Sequence, residues 1–410
     1  MRRAALTLFI LGAACGSKPE PKTGPLSHGV YVWQRAWNQP VVEAVADRLD
    51  AFGLAVVLAA EVTFDDARRP RVAWAALDHK TLASPGAPIT FAIRVGTGHR
   101  PDTNAPLTTL AVESITRMRK AHIKVAGVQI DFDAATADLA DYAAWLKILR
   151  KRLKPLKVEL SITALPTWMT SPVFRDVLAH VDYWVLQVHS LQPPKAPTKL
   201  TTLCDPATAR QAVGRAATYD TPFWVALPTY GYRVGFAPDG HYLGVQAEQR
   251  RVWPPGTTTH TIRADAVAMK GLLDDWTTRR PSVMQGVMWY RLPIDGEQLN
   301  WRWTTLAELI SHRTVAADLK VLTTMARPGL VDVSLTNHGT ADARVRPVEL
   351  TLAAPPLAMD ALRGFRVAAH GNTVRFEADS RDVVQPGETI PVGWVRKATT
   401  DATPPTVRLQ

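Results

Sequence analysis

The chain has 410 residues, of which 46% are hydrophobic, and a formal net charge of +11. This length is sufficient for a large hydrophobic core and for more than one domain. The positive charge does not indicate nucleic-acid binding, because the sequence contains no long basic run and no nucleic-acid motif.

The first 15 residues have the order of a secretory signal, with two arginines, an apolar run from Ala4 to Leu11 and small residues before Cys15. The run is too short for a permanent membrane helix, which needs about 20 residues. Its end resembles the bacterial lipobox, although Gly12 stands where a large aliphatic residue is usual. We predict that residues 1–15 are a lipoprotein signal with Cys15 as the lipidated residue. The alternative is an ordinary signal with a bystander cysteine.

Residues 16–27 are rich in Pro and charge, which predicts a flexible linker between a lipid anchor and the folded body. Gly16 is not the acidic residue that resembles an inner-membrane retention signal, so we expect the outer membrane in a host that has two. At this location, the net positive charge of the chain would favour its attraction to the envelope surface. Cys204 is the only other cysteine, so core burial rather than a disulfide must stabilise the mature chain.

Residues 28–315 alternate between strand-like and helix-like patterns, which predicts a (β/α)8 TIM barrel. The alternative of a Rossmann-type sheet is disfavoured because no Gly-rich phosphate loop follows the first strand. The predicted strands are Val30–Trp33, Leu54–Ala60, Ile89–Val95, Val125–Asp133, Val158–Leu165, Tyr183–His189, Phe223–Tyr230 and Val283–Tyr290. The predicted helices are Val41–Leu49, Leu107–Ala121, Leu139–Leu153, Val173–Val181, Ala207–Ala217 and Ala264–Trp276.

Residues 316–410 change to short alternating strands separated by turn residues, without a helical period. This pattern predicts a small antiparallel β-sandwich at the C-terminus. Such a domain could bind carbohydrate or brace the barrel. We favour bracing, because its few aromatic residues form no visible platform.

The fourth predicted barrel strand carries the clearest chemical signal. Side chains alternate faces along a strand, so Gln129, Asp131 and Asp133 share one face and their apolar neighbours the other. The polar face is expected to point into the barrel near the carboxyl ends of the strands, where active sites of this fold are built. The alternative is a structural pair of carboxylates held by buried arginines or backbone donors.

Two adjacent carboxyl groups can take different roles in cleaving a glycosidic bond. Each raises the proton affinity of the other, so one can donate a proton while its neighbour stays ionised. We expect no metal and no cofactor, because no His/Asp cluster lies on neighbouring strands to complete a ligand set.

Residues Gly127–Asp133 resemble the fourth-strand signature of family 18 glycoside hydrolases, the chitinase family, written Asp-Gly-x-Asp-x-Asp-x-Glu. The segments Val181–His189, Leu227–Gly231 and Gly286–Tyr290 resemble its sixth, seventh and eighth strands. The combined pattern is still more similar to a bacterial lipoprotein family of unknown function, numbered 3142 (DUF3142). The resemblance covers the barrel only.

By this resemblance, Asp133 falls at the chitinase acid, normally Glu, and Asp131 at the Asp that positions the acetamido group. Gln129 and His189 replace an Asp and a Tyr of the pattern. Because Asp is one methylene shorter than Glu, and a misplacement of about 1 Å can cost about a hundredfold in rate, the acetamido-assisted mechanism is not carried over. A non-catalytic carbohydrate-binding or envelope-scaffolding lipoprotein is therefore the alternative to a glycoside hydrolase.

Further candidates lie at the predicted strand ends, where planar aromatic and polar side chains together suit sugars. His189 is either a base or a neutral hydrogen-bonding residue, and Glu61 is a candidate distal carboxylate. We expect a monomer whose partner is a polysaccharide or oligosaccharide, with one cleft wall formed by residues 233–263. The predicted substrate-binding residues are Gln129, Trp33, Arg94, Gln187, His189, Tyr230, Trp289 and Arg291.

Overall fold

The computed structural model describes residues 20–67, 69–84, 88–96, 104–190, 193–194, 196, 202–247, 251–378, 383–400 and 403–410. The elements up to the last barrel helix are β1 (Ser27–Val32), α1 (Gln39–Arg48), β2 (Leu54–Phe64), β3 (Pro70–Trp74), α2 (His79–Leu82), β4 (Ile89–Val95), α3 (Asn104–Lys120), β5 (Val125–Phe132), α4 (Leu139–Leu153), β6 (Glu159–Ala164), α5 (Phe174–Leu178), β7 (Tyr183–Gln187), α6 (Pro206–Ala216), β8 (Phe223–Pro228), β9 (Gly231–Phe236), β10 (Tyr242–Gln246), β11 (Thr258–Arg263), α7 (Ala266–Thr278), β12 (Met284–Tyr290) and α8 (Trp303–Ile310).

Eight parallel strands close into a barrel in the order β1-β12-β8-β7-β6-β5-β4-β2, with β2 paired back to β1. Helices connect the strands and cover the sheet, as predicted for a (β/α)8 barrel. The main core cluster joins the outward-facing strand residues to the buried faces of the helices. A second, smaller cluster, which includes Tyr31, Val56 and Met288, fills the barrel interior.

Local sequence explains several helix boundaries. Asp205 caps α6, because its side chain accepts a hydrogen bond from the backbone N–H of Thr208 and Pro206 occupies the first helical turn. Cys204 lies just before this cap and is buried. Burial raises the pKa of its thiol to about 12, which fits a structural rather than a nucleophilic residue.

The segment predicted as a long loop at residues 233–263 is a three-stranded antiparallel sheet, β10-β9-β11. This sheet was not predicted from the sequence, because its strands are short and the segment is interrupted by Gly, Pro and charged residues. Strand β3 pairs antiparallel with β2 and was also not predicted. The packed body begins before the predicted boundary at residue 28, since Lys22 hydrogen-bonds to Arg280 through the backbone and Leu26 is buried.

The C-terminal strands are β13 (Leu319–Arg327), β14 (Leu330–Asn337), β15 (Ala343–Arg344), β16 (Val348–Thr351), β17 (Ala358–Ala361), β18 (Phe365–His370), β19 (Thr373–Ala378), β20 (Val383–Val384), β21 (Thr389–Arg396) and β22 (Thr406–Leu409). They form antiparallel sheets β13-β14-β21-β17 and β18-β19-β16-β22 around a separate apolar core. Arg263 of the barrel forms a buried ion pair with Asp342, at 2.6 Å, and Gln385 donates to the carbonyl of Asn300. These contacts tie the two domains together.

The predicted signal at residues 1–15, including Cys15, lies outside the described residues, as do residues 16–19 of the predicted linker. Within the described part of the chain, no helix combines the length and the apolar character that a membrane crossing requires.

Candidate active site

Strand β5 places its polar residues inside the barrel, as the alternation of its side chains predicts. Val128, Ile130 and Phe132 join the core shared with the helices. Gln129 is fully buried on the opposite face, where it accepts a hydrogen bond from Tyr31 at 2.8 Å and donates to Ser161 at 3.2 Å. This layer forms the floor beneath the open end of the barrel.

One layer higher, three charged residues lie in register on neighbouring strands. Glu61 of β2 is opposite Arg94 of β4, which is opposite Asp131 of β5. The Arg94 Nη1 lies 3.5 Å from Asp131 Oδ2, and the Thr163 hydroxyl donates to Asp131 Oδ1 at 2.7 Å. The short hydroxyl contact and the longer ion pair together fix the Asp131 carboxyl.

Burial raises the pKa of Asp131, and this effect is opposed by the positive charge of Arg94 and by the hydrogen bond from Thr163. The nearby Asp133 carboxylate adds a smaller effect that also raises the pKa. Asp131 is therefore a buried carboxyl with increased proton affinity. Like charges and burial are the two causes expected for a carboxyl in such a site.

Asp133 follows the last residue of β5 and is exposed. The strand thus delivers two carboxyl groups of different character, one buried in the floor and one open to solvent. Arg94 forms its ion pair with Asp131. Asp133 is open to solvent at the carboxyl end of β5.

Aromatic side chains form the other side of the barrel mouth. Tyr290, at the end of β12, contacts Trp33 and Tyr230 edge to face, with ring centroids 5.5 Å and 5.6 Å apart. His189 stacks on Tyr290 at 5.6 Å, and its Nδ1 lies 3.1 Å from the Tyr230 hydroxyl. Burial lowers the pKa of His189 to about 4, so the imidazole is neutral near pH 7. Of the two predicted roles, a base or a neutral hydrogen-bonding residue, the lowered pKa favours the second, because it makes the imidazole a weak base.

These elements surround a cleft of about 770 Å³, a size within the range of ligand-binding sites. Its aromatic lining comes from Trp33, Tyr230 and Tyr290, and residues of β9 and β10 supply one wall. The segment predicted to wall the cleft therefore does so, as a sheet rather than a loop.

The polar lining of the cleft is dominated by arginine. Arg35 forms two hydrogen bonds with Glu61, so this candidate distal carboxylate is held in an ion pair. Arg291 pairs with Glu297 at 2.9 Å. Arg94 and Arg251 complete the set.

Two predicted substrate-binding residues need correction. Trp289 has no exposed surface and stacks on His28 on the helix side of β12, because Met288 and Tyr290 take the inward positions. Gln129 also has no exposed surface and acts as floor rather than as a contact for a bound molecule. The alternation that placed Asp131 correctly also identifies Tyr290 once it is applied to β12.

The remaining predicted residues lie at the barrel mouth. Trp33, Arg94, Tyr230 and Arg291 line the cleft. Gln187 is the last residue of β7 and is half-buried, and His189 follows two residues later. Thr163 was not predicted, although its place on the inward face of β6 beside Asp131 follows from the same alternation.

Within the described ranges, no group of three or more His, Cys, Asp or Glu side chains is arranged to hold a metal ion. The described side chains at the barrel mouth instead offer an exposed carboxylate, a buried carboxyl, guanidinium groups and aromatic faces.

Comparison with known proteins agrees with this architecture. The family described as "Domain of unknown function (DUF3142)" matches residues 85–295, just over half of the chain. A second, described as "Domain of unknown function (DUF8456)", matches residues 320–398 in the sandwich. No curated protein sequence matches.

Among solved structures, the spore cortex-lytic enzyme SleL of Bacillus megaterium aligns with a TM-score of 0.52 at 13% identity, covering 72% of this chain and 75% of that one. SleL of Bacillus cereus aligns with a TM-score of 0.50 at 13% identity, covering 72% and 76%. A chitinase of Chromobacterium violaceum aligns with a TM-score of 0.48 at 13% identity, covering 70% and 98%. The two SleL alignments show that these enzymes and the present chain share the barrel fold.

Proposed function

The chain belongs to the DUF3142 family, and on this premise we propose that it is a lipid-anchored glycoside hydrolase of the cell envelope. Its substrate is a polysaccharide or oligosaccharide bound at the carboxyl end of the barrel. The observation that carries the proposal is the pair formed by exposed Asp133 and buried Asp131 beside an aromatic cleft of about 770 Å³. Apolar sugar faces stack on such aromatic rings, while sugar hydroxyls hydrogen-bond with the polar lining.

In the proposed reaction, Asp133 donates a proton to the glycosidic oxygen, which leaves with that proton as the bond to the anomeric carbon breaks. Water adds its hydroxyl group to that carbon, and its remaining proton returns to the Asp133 carboxylate. Asp131 lies beneath it, with one oxygen bound by Thr163 and the other facing Arg94. To stabilise positive charge developing on the sugar, Asp131 must be ionised, and the Arg94 charge and the Thr163 hydrogen bond, which oppose the effect of burial on its pKa, favour that form. Arg94 in turn limits the desolvation cost of an ionised Asp131.

A set of substitutions tests this assignment on a panel of polysaccharides. Asp133→Asn is expected to lower kcat by about 100-fold to 10,000-fold, because it removes the proton donor. Asp141→Asn removes an exposed carboxylate of α4 and is expected to leave kcat unchanged. Equal activity of wild type and Asp133→Asn would exclude Asp133 as the acid.

A non-catalytic carbohydrate-binding lipoprotein is the second candidate, favoured by one observation. Both oxygens of Asp131 already have partners, namely Thr163 and Arg94, so this carboxyl is also suited to a purely structural role. If the wild type binds a glycan but releases no product from any, this second function replaces the first.

The envelope location rests on the sequence around Cys15. We propose that Cys15 carries the lipid, that residues 16–19 begin the tether and that the protein resides as a monomer at the outer membrane of a two-membrane host. Cys15→Ala should abolish incorporation of labelled fatty acid and release the protein from the membrane fraction. Retention of the label in this variant would exclude the proposed anchor.

A further inference from the structure

The charged side chains that line the cleft, among the described residues, are all positive. Among the described residues that line it, four are arginines, namely Arg35, Arg94, Arg251 and Arg291, and none is Asp or Glu. Neutral sugars need hydrogen-bonding groups of both kinds, whereas guanidinium groups only donate. A mouth lined in this way favours a ligand that carries acceptor oxygens with negative charge.

The four guanidinium groups differ in how their charge is balanced. Arg35 and Arg291 each hydrogen-bond to a carboxylate behind the cleft surface, namely Glu61 and Glu297. Arg94 lies 3.5 Å from Asp131, which is a longer contact than a good charge-assisted hydrogen bond. Its side chain is also 42% exposed, so it can reach a ligand in the cleft.

Arg251 is held in place by neutral groups. Its guanidinium donates to the carbonyls of Leu243 and Val245, at 3.0 Å and 3.2 Å, and lies 4.5 Å from the centroid of the Trp253 ring. Among the described residues, no carboxylate takes part in these contacts. The arginine is therefore oriented while its charge stays available.

Two glycines make this arrangement possible. A Cβ on Gly235 would lie 2.4 Å from the Trp253 ring, and a Cβ on Gly244 would lie 2.5 Å from the Arg251 guanidinium. The antiparallel sheet thus leaves room for a stack of indole and guanidinium against its backbone. This is the geometry expected of a preformed cationic contact.

We propose that the saccharide recognised by this cleft is anionic, bearing a carboxylate or a sulfate group that Arg251 and Arg94 attract. This inference rests on the proposed saccharide-binding function and adds the substrate class. Two oxygens of a carboxylate or of a sulfate group can accept hydrogen bonds from the fork of a guanidinium, and a positive cleft raises the local concentration of an anionic ligand. The aromatic lining then stacks on the apolar face of the same sugar.

Binding measurements on the full chain test this inference. The probes are a short oligogalacturonide, its fully methyl-esterified form, and a sulfated galactan oligosaccharide of similar length. We expect the esterified form to bind at least about tenfold more weakly than the acid, since esterification removes the negative charge and keeps the sugar backbone. The sulfated probe distinguishes a site for any sugar oxyanion from one that requires a carboxylate.

Arg251→Gln is expected to weaken binding of the acidic probe about tenfold and to leave the esterified probe unaffected. Arg215→Gln removes the same charge from an exposed position on α6 and serves as the control. Equal weakening by both variants would mean that the net charge alone attracts the anion, and the inference would fail. Equal affinity for the acidic and esterified probes would overturn it while leaving the proposed function intact. Failure of every saccharide to bind would instead overturn the proposed function.

Discussion

The two halves of the barrel mouth are built in different ways. The polar half, on β2, β4, β5 and β6, is a chain of charged and hydroxyl groups that runs from Glu61 through Arg94 and Asp131 to Thr163. The aromatic half consists of rings in mutual contact, with Tyr290 at its centre. In the polar half, burial raises the pKa of a carboxyl group. In the aromatic half, the rings pack on one another and present faces for stacking. Each half can therefore be perturbed with limited effect on the other.

The largest expected effect on stability comes from Tyr290 in the aromatic half. Its ring contacts Tyr31, Trp33, His189 and Tyr230, so Tyr290→Ala should lower the free energy of unfolding by about 3 kcal/mol. Tyr290→Phe keeps the ring and should cost less than about 1 kcal/mol. Urea unfolding of both variants measures the difference. An alanine variant as stable as the phenylalanine variant would contradict the packing role.

In the polar half, Asp131→Asn should lower kcat by about a hundredfold, because it removes the negative charge but keeps the shape. It should not lower the free energy of unfolding at pH 7. Burial raises the pKa of Asp131, so the wild type loses stability as pH rises through that pKa, and Asn avoids this loss. The stability gap between variant and wild type should close as pH falls below the pKa of Asp131.

If Asp131→Asn lowered the free energy of unfolding at pH 7, the prediction would be wrong. The ion pair with Arg94 would then stabilise the folded state by more than burial of the Asp131 carboxylate destabilises it. Stability at several pH values, measured together with kcat on the same preparation, separates this outcome from a loss of catalysis alone.

Sequence periodicity predicted the barrel well because its strands and helices have distinct periods. Ile89–Val95 and Leu139–Leu153 were predicted at their observed bounds. The alternation along β5 placed Asp131 on the inner face of the barrel, but Trp289 was selected for its place at a strand end without applying the alternation to β12, and Tyr290 was missed. The Arg251 contacts could not be predicted, since they depend on where β10 and Trp253 meet in space. Long-range contacts of this kind leave no local period.

A smaller effect is expected from Thr163, which joins β6 to the carboxyl group of Asp131. Thr163→Val removes the hydroxyl donor and should lower the free energy of unfolding by about 1–2 kcal/mol, because the buried carboxyl loses a hydrogen bond. Thr163→Ser retains the hydroxyl and is the matched control. Combining Thr163→Val with Asp131→Asn should cost less than the sum of the two, as expected for groups in contact. If the losses in the free energy of unfolding were additive, the effect of Thr163→Val would not arise from its contact with Asp131.

The effect that is smallest near pH 7 is a pH dependence in the aromatic half, which appears only as the solution is made acidic. His189 has a pKa of about 4 in the folded protein, below the model-peptide value of 6.5. Above about pH 6.5 both states carry a neutral imidazole, and as pH falls toward 4 only the unfolded state gains the proton. The free energy of unfolding should therefore fall by up to about 1.4 kcal/mol per pH unit across this range.

His189→Gln should flatten this pH dependence, since glutamine does not titrate but can still hydrogen-bond to Tyr230. His241→Gln, at an exposed position of the β9–β10 turn, should leave the slope of the wild type in place. A second contribution will persist in both variants, because burial and the nearby His312 lower the pKa of His28 to about 4 as well. If His189→Gln left the slope unchanged, the imidazole would be solvated in the folded state. Burial beside Tyr230 and Tyr290 would then not disfavour the charged imidazolium, and the pH dependence would have to come from other groups such as His28.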